Sequence, residues 1–325
     1  MRKRTLLLKM AAVLFSLTFF IQAQAGENTQ PLVSTQWVQD QLATISDSNQ
    51  TQIRLIEVSK KYDQGHIPGA LQIKWGGGET FDPTTDHMVL SLDQIERIMG
   101  NLNAPPSAHI VLYDGEDKAH FVARVYWTLK YWNYPNVSIM DGGKSKWQKE
   151  NRPMSTEKPQ VAAQRFEIPY PPNTAVRGMY SPDIINALAT EESVILDTRP
   201  EGFYTGEIYD LEKWVRSGHI TGAVNVPTLS AMKEDKTYKD VETLKAIYES
   251  TAITPDKKII TYCDTGVLGA HAWFVLHELL GYQNVKLYDG SMREYANRFD
   301  TPMQPGIVGG KFPKTPIQQL EEKIK

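Results

Sequence analysis

The chain has 325 residues, which is long for one domain and typical of two. Hydrophobic residues make up 41% of the sequence and include seven Trp, 15 Tyr and ten Phe, so buried cores are expected and a disordered chain is excluded. The formal net charge is −3 and there is no long basic run, so the chain lacks the electrostatic footprint of a nucleic-acid-binding protein.

The first 25 residues have the layout of a secretory signal peptide. A cationic start precedes an apolar stretch from Met10 to Ile21, and Ala23 and Ala25 form an Ala-x-Ala cleavage site. The apolar stretch is short for a membrane span, which favours cleavage over an uncleaved anchor. No cysteine lies near the cleavage point, so a lipoprotein is excluded. The sequence therefore predicts an exported protein, periplasmic or secreted, that has no membrane attachment after cleavage.

Two motifs occur twice in the remaining chain, in the same order and with similar spacing. QGHIPGALQI at 64–73 returns as SGHITGAVNV at 217–226. VSIMDGGKSKWQ at 137–148 returns as VKLYDGSMREYA at 285–296. Chance rarely preserves two motifs together with their spacing, so the sequence predicts two copies of one domain.

The predicted boundaries place one copy at 26–160 and the other at 178–325. The intervening segment, 161–177, is predicted to be a linker. It contains the proline-rich run PYPPN, which cannot continue a helix or a central strand.

Each copy alternates short apolar runs with helical patterns. The elements predicted for the first copy are a strand at 53–58, a helix at 91–100, a strand at 109–114, a helix at 119–132 and a strand at 137–140. Those predicted for the second copy are a strand at 193–197, a helix at 240–250, a strand at 258–263, a helix at 268–281 and a strand at 285–289. Short buried strands separated by helices predict an α/β fold, in which each domain is a parallel sheet with helices on both faces.

Cys263 is the only cysteine of the chain and cannot form an internal disulfide bond. It ends a predicted strand just before a helix, and ligands of open α/β sheets bind at such strand ends. The N–H groups of the connecting loop favour an anion, so we expect a lowered thiol pKa and a nucleophilic thiolate. Gly266 can supply the positive φ that a curled loop needs. The alternative is a buried structural cysteine.

Four features together resemble the tandem-domain rhodanese family of thiosulfate and 3-mercaptopyruvate sulfurtransferases. These are the paired motifs GHIPGA and GHITGA, DTR at 197–199, the Cys-x-x-Gly loop at 263–266 and YDGS at 288–291. The resemblance implies a rhodanese-type sulfurtransferase that needs no cofactor. Cys263 would take a sulfane sulfur from thiosulfate, 3-mercaptopyruvate or a persulfide, hold it as a persulfide, and pass it to a thiol or to cyanide.

The resemblance also implies the residues of the site. Cys263 is the expected catalytic residue, and the expected substrate and persulfide loop consists of Asp264, Thr265, Gly266, Val267 and Leu268. His66 and Arg199 are candidate supporting residues. In the mercaptopyruvate branch a first-domain histidine matching His66 is thought to work with a loop serine, which Thr265 could replace. For Arg199 the alternative is a structural ion pair. No metal site is expected, because His271 and His277 do not share a helix face.

The sequence departs from its relatives in two respects. The first copy carries Asp114 at the cysteine position, and a carboxylate cannot carry sulfane sulfur, so this domain is expected to form the cleft only. Thiosulfate-type loops resemble Cys-Arg-Lys-Gly, whereas Asp264 and Thr265 follow Cys263, and Phe203 stands where the family has an arginine. Partners are therefore expected to be a small sulfur donor and a thiol acceptor, with a protein acceptor as an option. The rival interpretation is a catalytically weak module that binds a sulfur-bearing ligand or a protein.

Overall fold

Two five-stranded parallel sheets, one in each half of the chain, form the framework of the protein. The computed structural model describes residues 29–76, 78–85, 87–208, 210 and 215–304. The predicted signal peptide, 1–25, lies outside the described residues. No helix of the described part is long and apolar enough to cross a membrane.

The first sheet has the strand order β1-β5-β4-β2-β3, and all of its neighbouring strands are parallel. Its strands are β1 (Leu32–Val33), β2 (Ile53–Ser59), β3 (Leu71–Lys74), β4 (His109–Asp114) and β5 (Val137–Met140). The helices of this domain are α1 (Thr35–Asp40), α2 (Leu42–Ser46), α3 (Leu92–Asn101), α4 (Ala119–Tyr131) and α5 (Gly143–Lys149). Ser91 caps α3, and its N–H donates to Gln94 Oε1 at 2.8 Å.

The second sheet has the order β6-β11-β10-β7-β9 and repeats the topology of the first. Its domain contains the strands β6 (Arg177–Gly178), β7 (Ser193–Asp197), β8 (His219–Ile220), β9 (Val224–Asn225), β10 (Lys258–Tyr262), β11 (Val285–Tyr288) and β12 (Met303–Gln304). Its helices are α6 (Ile185–Leu188), α7 (Glu201–Thr205), α8 (Val241–Glu249), α9 (Val267–Trp273) and α10 (Ser291–Tyr295). Strands β8 and β12 form a separate antiparallel pair. The prediction of two tandem α/β domains is confirmed.

The strands predicted at 109–114, 137–140 and 193–197 have the observed bounds of β4, β5 and β7. The four edge strands β1, β3, β6 and β9 were not predicted. Strands β1, β6 and β9 have two residues each, which are too few to show a periodic pattern, and β3 has only four. Strand β6 begins at Arg177, the last residue of the predicted linker.

The two domains share a hydrophobic core across their interface, where α4 packs against α9 and the π-helical segment Phe274–Leu279 that continues it. The Tyr126 ring meets the Phe274 ring edge-on at 4.8 Å, and the Tyr126 hydroxyl donates to Glu278 Oε2 at 2.7 Å. Two polar contacts repeat the internal symmetry of the chain. Asp289 accepts the Val89 N–H at 2.8 Å, and Asp141 accepts the Tyr238 N–H at 3.0 Å. Each domain therefore supplies a carboxylate that fixes a loop of the other.

Candidate active site

Cys263 follows β10 directly and lies at the carboxyl edge of the second sheet. Its side chain is buried, with a relative exposure of 1%. Gly266 adopts φ = +74° and begins α9, so residues 263–266 curl between the strand and the helix. This is the position that the sequence predicts, at the strand ends where open α/β sheets bind ligands.

Three backbone N–H groups, those of Thr265, Leu268 and Gly269, hydrogen-bond to the Cys263 thiol and lower its pKa. Burial raises the pKa, as does the carboxylate of Asp264, and these two effects outweigh the N–H groups. The net pKa lies above the ordinary value of a cysteine, so the expectation of a lowered pKa is wrong for the resting thiol. The nest of N–H groups exists, but the thiol that it faces is buried.

Helix α10 holds the backbone of the Cys263 loop in place. The Cys263 N–H donates to Ser291 Oγ at 3.2 Å. The N–H groups of Met292 and Arg293 donate to the carbonyl oxygens of Cys263 and Asp264 at 3.0 and 2.9 Å. The YDGS motif thus supports the loop through Ser291, a role that the motif itself does not indicate from sequence.

Asp264 and Arg199 meet at the edge of the site, where Asp264 Oδ1 lies 3.6 Å from Arg199 Nη1. Arg199 is buried and also binds Asp197, with Nη2 to Oδ2 at 2.6 Å, and the Gly218 carbonyl at 2.8 Å. The Tyr262 hydroxyl donates to the same Asp197 oxygen at 2.6 Å. Arg199 is therefore the structural ion pair that the sequence analysis left as the alternative, and it touches the site only through Asp264.

The remaining residues of the predicted loop are either half-buried or buried. Thr265 and Leu268 are half-buried, so with Asp264 they form the accessible rim beside Cys263. Val267 is buried in the shared core and offers nothing to a substrate. The Leu268 carbonyl accepts the Thr228 hydroxyl at 3.0 Å. The accessible rim has one acidic, one hydroxyl and one apolar side chain.

His66 does not belong to the site, which corrects its prediction as a supporting residue. It is fully buried, and its ring nitrogens Nδ1 and Nε2 lie 3.2 Å from the Tyr62 carbonyl and 3.0 Å from the Glu157 carbonyl. The ring stacks on Tyr62 at 3.8 Å. His219 repeats this arrangement on Tyr204. Because the same packing occurs in both domains, these histidines stabilise the turn of the repeated motif.

Among the described residues, no three His, Cys, Asp or Glu side chains are grouped as metal ligands. The His271 Nδ1 lies 3.3 Å from Thr228 Oγ1. Burial lowers the pKa of His271 to about 3, which keeps the ring neutral. His277 pairs with the neighbouring Glu278 at 2.9 Å.

A family model for the rhodanese-like domain matches residues 38–150 and 181–298. The chain belongs to the rhodanese-like family of sulfurtransferases. It is 36% identical over 286 residues to "Sulfur carrier protein TtuD" of Thermus thermophilus. This alignment covers 85% of this chain and 96% of that protein. It is 32% identical over 280 residues to "Putative thiosulfate sulfurtransferase" of Mycolicibacterium smegmatis, covering 85% of this chain and 98% of that protein.

The fold also resembles that of the anaerobic ergothioneine biosynthesis enzyme from Chlorobium limicola, solved in complex with trimethyl histidine. The TM-score is 0.74 at 21% identity, over 86% of this chain and 71% of that one. At this identity the likeness concerns the fold alone. It agrees with the family match, since both cover the two rhodanese-like domains.

The rhodanese-like loop of the first domain carries Asp114 at the position of Cys263. Asp114 is 8% exposed, and its Oδ1 accepts the Glu116 N–H at 2.8 Å. Burial raises the pKa of Asp114 to about 7. A cavity of about 310 Å³ opens beside it and is lined on the other side by Leu229, Met232 and Lys233. The first domain thus keeps the shape of a site without a sulfur-carrying side chain.

Proposed function

We propose that this rhodanese-like protein transfers sulfane sulfur through a persulfide on Cys263. The observation that supports the proposal most is the position of the sole thiol, buried at the end of β10 and facing three backbone N–H groups. N–H groups fixed around one atom stabilise negative charge that develops there, and they need no reorganisation during the reaction.

The reaction has two displacement steps. The Cys263 thiolate attacks the transferable sulfur of the donor, and the bond that joins this sulfur to the rest of the donor breaks as that remaining part leaves with the electron pair. The bond is sulfur–sulfur in thiosulfate or a persulfide and carbon–sulfur in 3-mercaptopyruvate, where the pyruvate enolate leaves. With thiosulfate, the leaving group is sulfite and the product is the Cys263 persulfide anion. An acceptor thiolate then attacks the outer sulfur of that persulfide, which releases a new persulfide and restores the Cys263 thiolate. The proton of the resting thiol leaves to solvent before the first step.

The surroundings of Cys263 favour a donor of low charge, or one delivered by a protein. Asp264 adds negative charge at the rim, and Arg199 is committed to Asp197 and Asp264. Phe203 packs against the core of the second domain instead of offering a cation to the donor. The relative named as a sulfur carrier protein supports a protein partner, while the relatives named for thiosulfate support the small donor. We propose a thiol or protein thiol as acceptor.

A second candidate function is a catalytically weak module that binds a sulfur-bearing ligand or a protein partner. The burial of Cys263 and its raised pKa favour it, because less thiolate is present at neutral pH. This candidate predicts binding of the donor without turnover.

The experiment is a donor panel of thiosulfate, 3-mercaptopyruvate and glutathione persulfide, each tested for turnover with a thiol acceptor. The matched control is Cys263→Ser, which keeps the size of the side chain but cannot hold sulfane sulfur. We expect turnover with at least one donor and none in the variant. Binding without turnover for every donor would support the second candidate, and turnover within a few-fold of wild type in Cys263→Ser would contradict the persulfide mechanism.

We also propose export, based on the signal-like layout of the first 25 residues. Expression of the full chain in a bacterial host, followed by fractionation and N-terminal sequencing, tests it. We expect a periplasmic protein that begins at Gly26. A cytoplasmic protein that keeps Met1 would overturn this proposal.

A further inference from the structure

Arg124, a residue of the first domain, reaches the Cys263 loop of the second. It lies on α4, is fully buried, and its guanidinium carbon lies 5.0 Å from the Phe81 ring centre and 4.8 Å from that of Trp127. Its Nη1 lies 2.7 Å from Asp289 Oδ1, in an ion pair that both domains bury. The two aromatic rings and this pair leave the guanidinium little freedom to move.

The same guanidinium contacts the backbone of both domains. Nη1 donates to the Gly266 carbonyl at 3.4 Å, and Nη2 donates to the His87 carbonyl at 3.4 Å. The fit is close, because a Cβ atom on Gly266 would come within 2.5 Å of Nη1. Arg124 thus joins the centre of the Cys263 loop to the loop at residue 87 of the first domain.

The Gly266 carbonyl matters because of its place in the loop. A peptide group is planar and trans, so fixing this carbonyl oxygen also fixes the direction of the Val267 N–H. The N–H groups of Thr265 on one side and of Leu268 and Gly269 on the other hydrogen-bond to the Cys263 thiol. The Arg124 contact therefore lies between the donors that surround the sulfur.

We infer that Arg124 is a positioning residue for sulfur transfer. Together with the Ala270 N–H, which donates to the same carbonyl at 3.2 Å, it holds the Gly266 peptide and with it the N–H groups around Cys263. It acts through geometry: Arg124 shares the Asp289 carboxylate with Arg177, at 2.7 and 3.1 Å, and it reaches the Cys263 loop through the hydrogen bond to the Gly266 carbonyl. The inference rests on the proposed function of Cys263. Through Arg124, the first domain, which carries no cysteine, contributes to the chemistry of the second domain.

The corresponding interface contact on the other side of the molecule provides a matched control. Asp141 accepts the Tyr238 N–H at 3.0 Å, as Asp289 accepts the Val89 N–H at 2.8 Å. Both contacts cross the domain interface, but the Asp141 contact does not involve the Cys263 loop. The variant Asp141→Asn therefore removes the carboxylate charge at this interface contact and leaves the persulfide loop alone.

The test compares Arg124→Met, Arg124→Lys and Asp141→Asn in the full protein, with kcat and KM measured for the most active donor. In Arg124→Met we expect kcat to fall roughly tenfold or more with little change in KM, because misplaced donors cost transition-state stabilisation. Arg124→Lys should recover part of the loss, since an ammonium reaches Asp289 but cannot make all of the contacts. Asp141→Asn should keep the wild-type kcat.

Hydrogen exchange of the peptide that covers residues 263–269 gives a second readout that needs no activity. We expect faster exchange in Arg124→Met and wild-type exchange in Asp141→Asn. If wild type transfers no sulfur, the proposed function fails while this exchange result still decides the inference. If Arg124→Met does not fold, Arg124→Lys takes its place, with a smaller loss of kcat expected. Wild-type kcat and exchange in the folded Arg124 variants, or an equal loss in Asp141→Asn, would overturn the inference.

Discussion

The Cys263 loop and the Asp114 loop occupy the same place in two sheets of the same strand order, yet their N–H groups face different side chains. In the second domain, the thiol faces the N–H groups of Thr265, Leu268 and Gly269. In the first, the carboxyl of Asp114 accepts hydrogen bonds from the loop that follows it, including the Glu116 N–H at 2.8 Å. The comparison shows that the fold supplies N–H groups at both strand ends. The residue at the end of the strand decides whether they surround a fixed carboxyl or a sulfur that can react.

The two domains also anchor their central strands with the same kind of ion pair from different parts of the sequence. In the first domain, Lys144 on α5 binds Glu57 at 2.9 Å and the Gly65 carbonyl at 2.9 Å. In the second domain, Arg199 binds Asp197 and the Gly218 carbonyl. Tyrosine hydroxyls complete both clusters, from Tyr113 at 2.7 Å and Tyr262 at 2.6 Å. Of the two cations, Arg199 has an additional carboxylate in reach, that of Asp264, so only its cluster connects to the Cys263 loop.

The largest expected effect comes from breaking these two ion pairs separately. Both Lys144→Met and Arg199→Met leave a carboxylate buried without its cation, so each should cost about 3 kcal/mol of unfolding free energy. Only Arg199→Met should also lower the turnover of the folded protein, by roughly tenfold, because the Arg199 charge no longer offsets that of Asp264, which opposes the Cys263 thiolate. Urea unfolding and kcat at a temperature where both variants are folded measure the two effects. Equal loss of turnover in both variants would show that the clusters do not differ in function.

A smaller effect concerns the pH dependence of stability that Asp114 causes. Because burial raises its pKa from 3.8 to about 7, the folded protein binds a proton that the unfolded chain has lost. This contribution to stability is complete below pH 3.8 and disappears as the pH rises through about 7. Asp114→Asn should remove this dependence of stability on pH. At pH 8 it should raise the free energy of unfolding by at least about 1.4 kcal/mol, the equivalent of one pKa unit.

The measurement is urea unfolding of wild type and Asp114→Asn at pH 5 and pH 8. The matched control is Asp40→Asn, which alters an exposed carboxylate elsewhere in the first domain. If the unfolding free energy of Asp114→Asn changed with pH as it does in wild type, the Asp114 carboxyl would be ionised in the folded protein at both pH values.

The smallest effect concerns donor choice at the rim of the site. The Asp264 carboxylate raises the pKa of Cys263, so Asp264→Asn should lower that pKa and speed the reaction with anionic donors. We expect kcat/KM for thiosulfate to rise a few-fold, and less at high salt because ions screen the charge. Asp117→Asn makes the same charge change in the first domain and should have no effect. A thiosulfate rate that does not respond to Asp264→Asn at either salt level would exclude charge as the basis of donor choice.

Sequence patterns predicted the strands well, because buried parallel strands are short apolar runs between helices. They also placed Cys263 at a strand end, and the repeat identified Asp114 as its counterpart. The direction of the thiol pKa was missed, since it depends on how completely tertiary packing buries Cys263 and on where Asp264 points. The role expected of His66 was wrong. The same histidine recurs in the second domain as His219, and this repetition indicated a structural role.

The contact between Arg124 and Asp289 could not have been predicted either. Arg124 lies in an apolar helix that shows no motif, and its partner comes from the other domain. Only the packing of α4 against α9 brings these residues together. Residues that act across a domain interface leave no local pattern, whereas residues that follow one strand do.

The central claim is that one sulfur is carried per chain, on Cys263 and not in the first domain. Intact mass spectrometry after incubation with the most active donor tests this directly in wild type, Asp114→Ala and Cys263→Ser. We expect the added mass of one sulfur atom in wild type and in Asp114→Ala, and none in Cys263→Ser. Sulfur bound to folded Cys263→Ser, or its loss from folded Asp114→Ala, would show that Cys263 is not the sole carrier.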